Sequence, residues 1–158
     1  MRVEYINPFV EAAFNVLQQV LNTDVKRGNL GLSTTDKKSI SIAGVAALVG
    51  LAGDVEGRVL FDMTKQTALK VAGVMNEQEF ATLDELAKAT ITELANMITA
   101  QAVTKLHDLG FKFDLTPPAL FSGENMEIAN PEAEALIVPM DLGSMGKIEI
   151  NIVVRERM

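Results

Sequence analysis

A chain of 158 residues, 48% hydrophobic and 22% charged, has the balance of a globular protein with a substantial core, and residues 1–158 are expected to form a single domain. Its formal net charge of −7 argues against nucleic acid or an anionic membrane surface as partner. The absence of cysteine excludes disulfides and thiolate chemistry and fits a reducing compartment. Met1 to Pro8 lacks the apolar run of a signal peptide. Ile40 to Gly53 is too short and too interrupted by glycine to cross a bilayer. The expected location is cytoplasmic.

Taken in order, the first element is an amphipathic helix from Asn7 to about Leu21. Asn7 is placed as its N-cap, Pro8 at its first helical position, and Phe9, Ala13, Val16, Leu17 and Val20 on one side. Val25 to Ser33 reads as a strand and Thr34 to Lys38 as a charged turn. Ile40 to Leu51 and Arg58 to Phe61 form a hairpin around Gly53-Asp54-Val55-Glu56-Gly57. A second helix runs from Thr64 to Met75, capped by Asp62 or Thr64.

Thr82 to Gly110 reads as one long helix, with Thr82 and Glu85 as a capping box and Gly110 placed to end it. Phe111 to Leu115 is extended, and Pro117-Pro118 blocks a helix there. Leu136 to Leu142 and Lys147 to Val154 flank a second turn, Gly143 to Gly146. In the last strand Ile148, Ile150 and Ile152 alternate with Lys147, Glu149 and Asn151, giving one buried and one wetter face.

The long helix is the informative segment. Between Ala89 and Thr104 its single charged side chain is Glu93, whereas an ordinary surface helix keeps a charged face toward water. At about 100° per residue, Leu83, Leu86, Ala87, Thr90, Ile91, Leu94, Met97 and Ile98 gather into an apolar stripe. Glu93 and Asn96 fall together on its flank at i, i+3 and can act on one object. Ala89 lies one turn before Glu93 and Ala100 one turn after Asn96, and such small neighbours let a partner's backbone approach. A solvated polar pair beside a core stripe would look the same at this level.

The pattern Glu-x-x-Asn is weak by itself. Glu4/Asn7, Glu93/Asn96 and Glu127/Asn130 all match it, and only the middle copy falls on a strongly predicted helix.

Conventional catalytic groups are sparse. His107 is the only histidine, near a helix C-terminus where it suits the dipole, and one histidine cannot assemble a metal cluster. No metal site is expected. Glu77/Glu79 and Glu132/Glu134 read as solvated faces. No phosphate-binding glycine loop opens a helix, since Gly50, Gly53 and Gly57 belong to the hairpin. The serines lack a base and an acid, and the scattered methionines read as core filler.

These residues carry a family resemblance. Asn7-Pro8-Phe9-Val10-Glu11-Ala12 resembles the first helix of the CheX family of chemotaxis phosphatases, relatives of CheC and FliY. Gly57-Arg58-Val59-Leu60-Phe61-Asp62-Met63 resembles its central strand. Leu83-Asp84-Glu85-Leu86-Ala87 and Thr92-Glu93-Leu94-Ala95-Asn96-Met97-Ile98 resemble its active helix. Thr116-Pro117-Pro118, Gly123-Glu124-Asn125 and Gly146-Lys147-Ile148-Glu149-Ile150 resemble its closing segments.

The resemblance implies an α+β, two-layer fold of the CheC-like type, in which a largely antiparallel sheet carries two long helices and a shorter one. It implies an enzyme that hydrolyses the aspartyl phosphate of the response regulator CheY. Glu93 and Asn96 are then the catalytic pair, with Asn96 on the attacking water and Glu93 on a receiver lysine, while Ala89, Thr92 and Ala100 face the partner. No cofactor is expected on this chain, and Mg2+ is expected in the receiver.

The implied partners are phosphorylated CheY or a similar receiver domain and a second copy of the chain, the strand Lys147 to Val154 offering an edge for a homodimer. Ala89 stands where some relatives carry an acidic residue or serine, and one active helix is present where CheC and FliY relatives hold two. Both features fit the CheX branch. Two other classes stay open: a non-catalytic adaptor or signalling module that binds a receiver domain, and an oligomeric scaffold that buries the low-charge helix face.

Overall fold

The computed structural model describes residues 3–28, 31–33, 39–129 and 135–156. The elements in chain order are α1 (Val3–Leu21), β1 (Lys26–Arg27), β2 (Gly31–Ser33), β3 (Ser39–Ser41), β4 (Val45–Gly53), β5 (Val55–Met63), α2 (Lys65–Asn76), α3 (Glu85–Asp108), β6 (Phe113–Leu115), β7 (Ala119–Ser122), β8 (Glu127–Ala129), β9 (Ala135–Asp141) and β10 (Lys147–Glu156). A 3-10 turn, Gly143–Met145, joins the last two strands.

Strand alternation builds the main layer. The sheet runs β1-β9-β10-β5-β4-β6, with β2 also on β9 and β7 also on β4, and its pairs are antiparallel. Ile148, Ile150, Ile152 and Val154 of β10 point to the same face as Val59 and Phe61 of β5 and Val45, Ala47 and Val49 of β4. Phe9, Val16 and Leu17 of α1 and Ile91, Leu94 and Ile98 of α3 close over that face. Each fully buried branched side chain contributes about 1.5–3 kcal/mol. The α+β layering and the two long helices with a shorter third are those implied by the resemblance.

Several details differ from the sequence reading. Helix α1 begins at Val3 with Pro8 inside it, so Asn7 is not its N-cap, and Glu4 and Asn7 also lie on a helix. Tyr5 and Ile6 are buried, and the Tyr5 ring meets Phe111 edge-on at 4.9 Å and Phe113 at 6.2 Å. This burial outweighs the backbone hydrogen bond that the proline removes.

The hairpin turn is tighter than expected: β5 starts at Val55, and Gly53 takes φ 111°. There Asp54 N and Lys112 O bond at 2.9 Å, and Lys112 N donates to Asp54 Oδ2 at 2.8 Å. Ile40 to Leu51 is not one strand, because β3 leaves the sheet and pairs with β8 in a two-stranded ribbon. Ile40, Met126 and Ile128 of this layer pack on Ile42, Ala46 and Leu60, covering part of the sheet's other face.

On that second face Asn151 is buried rather than wet. Strand β10 lies between β9 and β5 and so offers no edge for a dimer. The proposed strand Val25 to Ser33 is divided into β1 and β2. Thr34 to Lys38, Glu132, Glu134 and Asn130 lie outside the described residues.

Candidate functional site

The caps set where α3 begins and ends. Its N-cap is Asp84, whose Oδ1 accepts from Ala87 N at 2.9 Å, and not Thr82 as the sequence suggested; a carboxylate there also suits the helix dipole. At the other end Gly110, with φ 95°, closes a paired cap: Gly110 N donates to His107 O at 3.0 Å and Phe111 N to Leu106 O at 2.9 Å. The Nε2 of His107 sits 3.3 Å from Phe113 N, which ties the helix end to β6 and gives this histidine a structural task. Helix α2 is capped by Thr64, whose hydroxyl accepts from Thr67 N at 3.1 Å, and not by Asp62.

The buried side of α3 comprises Ala87, Thr90, Ile91, Leu94, Ala95, Ile98, Thr99, Ala102, Val103 and Leu106. Three members of the expected apolar stripe depart from it, the first being Leu83, which precedes the N-cap and is half-buried. Leu86 is 47% exposed and Met97 is half-buried, because the packed stripe is centred beyond them, on the Ala87–Ile91–Leu94 line. Asn76 of α2 donates through Nδ2 to Thr90 Oγ1 at 2.8 Å, and Thr90 Oγ1 donates to Leu86 O at 2.7 Å, so the rotation of α3 about its axis is fixed.

With the helix so rotated, Ala89, Glu93, Asn96 and Ala100 are all exposed. No hydrogen bond or ion pair ties the side chain of Glu93 or of Asn96 to the described residues; the Asn96 carbonyl accepts from Thr99 Oγ1 at 3.2 Å within the helix. Spaced i, i+3, their Cβ atoms are about 5–6 Å apart. Thr92 differs: it is half-buried, and its hydroxyl donates to Lys88 O at 2.9 Å. Thr99 and Thr104 likewise donate back, to Ala95 O at 2.9 Å and Ala100 O at 3.0 Å. The hydroxyls of α3 are therefore turned to their own backbone, and the carboxylate and carboxamide stand at the surface without side-chain partners among the described residues.

Such a site can do little covalent work of its own. Glu93 is one acid on a stripe of alanines, too few donors for a divalent cation, and among the described residues no cluster of three or more potential metal ligands occurs. What the stripe offers is an anion for a cationic partner and, beside it, a carboxamide able both to donate and to accept. The other Glu-x-x-Asn copies are less favourable. Asn7 is exposed on α1, but the side chain of Glu4 and all of Asn130 fall outside the described residues.

Sequence reasoning missed two features of this surface. Leu86 was placed in the core, although its position seven residues before Glu93 puts both on one helical face. The Asn76–Thr90 bridge left no signal, since it depends on how α2 and α3 meet.

The comparisons agree with one another. The profile of the family described as chemotaxis phosphatase CheX matches residues 45–141. CheY-P phosphatase CheX of Thermotoga maritima is 32% identical over 129 residues, covering 81% of each chain. A CheX of Borrelia burgdorferi, solved as a complex with CheY, BeF3 and Mg2+, is 45% identical and covers 98% of this chain and 100% of that one, with a TM-score of 0.86. A CheC-like superfamily protein from Shewanella sp. PV-4 is 28% identical, covers 98% and 99%, and also has a TM-score of 0.86. Matched in its profile over most of the chain and in its fold from end to end, this chain belongs to the CheX family of chemotaxis phosphatases.

Proposed function

We propose that this chain hydrolyses the aspartyl phosphate of CheY or a similar receiver domain, with Asn96 positioning the attacking water and Glu93 pairing with a receiver lysine. The observation that carries this reading is the exposure of Glu93 and Asn96, side by side and with no side-chain partner among the described residues, on a stripe otherwise free of charge from Ala89 to Thr104.

The chemistry suits so spare a site. Phosphoryl transfer passes through a loose transition state, so positioning and charge neutralisation account for most of the catalysis. The receiver's own Mg2+ and lysine supply the neutralising charge. Asn96 accepts a hydrogen bond from the water and directs its oxygen in line with the scissile P–O bond. The new P–O bond forms as the receiver's carboxylate leaves, and the water's proton passes to the departing phosphate. Glu93, desolvated against a receiver lysine, fixes the register of the two proteins.

The same reading places the protein in the cytoplasm as one domain over residues 1–158. Among the described residues no helix is long and apolar enough to cross a membrane. It also includes a homodimer, whose sheet contact must use strands other than the enclosed β10.

Release of inorganic phosphate from a phosphorylated CheY-type receiver in Mg2+, with and without this chain, tests the proposal. Faster release supports it. Binding with unchanged decay would make the protein an adaptor.

A further inference from the structure

The exposed residues of α3 are as ordered as its buried ones. Leu86, Ala89, Glu93, Asn96 and Ala100 are all exposed. At about 100° per residue, Leu86 projects within about 20° of Glu93 and about 10 Å before it along the axis. Five large hydrophobic side chains are exposed among the described residues, namely Phe14, Val74, Leu86, Leu109 and Phe121; of these Leu86 alone shares the face of Glu93 and Asn96. Scattered exposed leucines are ordinary. A leucine in register with a polar pair, beside alanines small enough for close approach, is a different case.

We infer that Leu86 is the apolar anchor of receiver docking, seated against an apolar side chain of the receiver about 10 Å from the lysine that Glu93 meets. The inference rests on the phosphatase reading and adds to it. One ion pair sets register and does not carry an interface alone, and anchoring strength in an interface comes from a few desolvated side chains with near-neutral contacts around them. Leu86 supplies the first element and Ala89 and Ala100 the second. Because Leu86 is about 15 Å along the helix from Asn96, it cannot reach the reacting atoms. It is a positioning residue, and its contribution is uniform binding, felt in KM and not in kcat.

The test measures kcat and KM of wild type, Leu86→Ala and Leu86→Met on the phosphorylated receiver, with direct titration of a beryllofluoride-activated receiver beside it. Leu86→Ala is expected to raise KM and the dissociation constant about tenfold, keeping kcat within about twofold, with Leu86→Met restoring most of the loss. Unchanged KM and binding in Leu86→Ala overturn the anchor, as does a fall in kcat at constant KM. A wild type that binds the activated receiver without accelerating hydrolysis refutes the catalytic reading alone, and weaker titration by Leu86→Ala then still supports the anchor. A wild type that does not bind the receiver refutes both.

Discussion

Asn76 and Thr90 join α2 to α3 through an Nδ2–Oγ1 hydrogen bond of 2.8 Å. Thr90 lies three residues before Glu93, so this contact sets the angle at which the polar pair leaves the molecule. Asn76 also donates to Ala72 O at 2.8 Å, and its position at the end of α2 is therefore doubly held.

Thr90→Val keeps the shape of the side chain and removes the hydroxyl. It is expected to cost about 1 kcal/mol and to lower the thermal midpoint by about 2–4 °C, with receiver KM rising as α3 gains rotational freedom. Thermal melts read beside steady-state kinetics check this. An unchanged midpoint would show that the bridge adds nothing to the fold.

Glu93→Gln preserves size and removes the anion. Affinity for the phosphorylated receiver should fall about tenfold, and the weakening of binding by salt expected of wild type should flatten in the variant. Titrations at low and high ionic strength measure both. Equal salt slopes in the two proteins would contradict a lysine partner for Glu93.

Asp62 gives a prediction about pH. On the face of β5 away from the helices, burial holds its carboxyl above the usual carboxylate range; the hydrogen bond from Ala43 N, at 2.9 Å, and one from the Met63 backbone oppose this, while Glu149 raises and Lys147 lowers it. The folded state therefore binds this proton more tightly than the unfolded chain does. Asp62 favours folding below its unfolded pKa, and that contribution is lost as pH rises through the raised folded value. Denaturant midpoints of Asp62→Asn, whose amide oxygen can still accept from Ala43 N, should improve relative to wild type as pH rises from the acid side of this window to neutrality. Parallel profiles would contradict the assignment.

Much of the fold was legible because periodicity survives packing. The alternation of Ile148, Ile150 and Ile152 and the low charge of Ala89 to Thr104 are properties of one segment, and each keeps its meaning in the folded chain. That Glu93 and Asn96 lie together at the surface was legible for the same reason: the proposed pair needs only one helix to meet. What escaped depends on contacts between distant segments. The aromatic contacts of Tyr5 with Phe111 and Phe113 carry α1 past Pro8, the β3–β8 ribbon draws Ser39 to Ser41 off the sheet, and the order of strands encloses β10. Leu86 was misassigned because an exposed leucine and a core leucine look alike until the neighbouring helix is in place.

The central claim is that Asn96 holds the attacking water. Its most direct test is single-turnover release of phosphate from the phosphorylated receiver, saturated with wild type or with Asn96→Ala, alongside titration of both with the beryllofluoride-activated receiver. The account predicts binding within about twofold and a hydrolysis rate lower by on the order of 10²-fold in the variant. Hydrolysis by Asn96→Ala at the wild-type rate would contradict it.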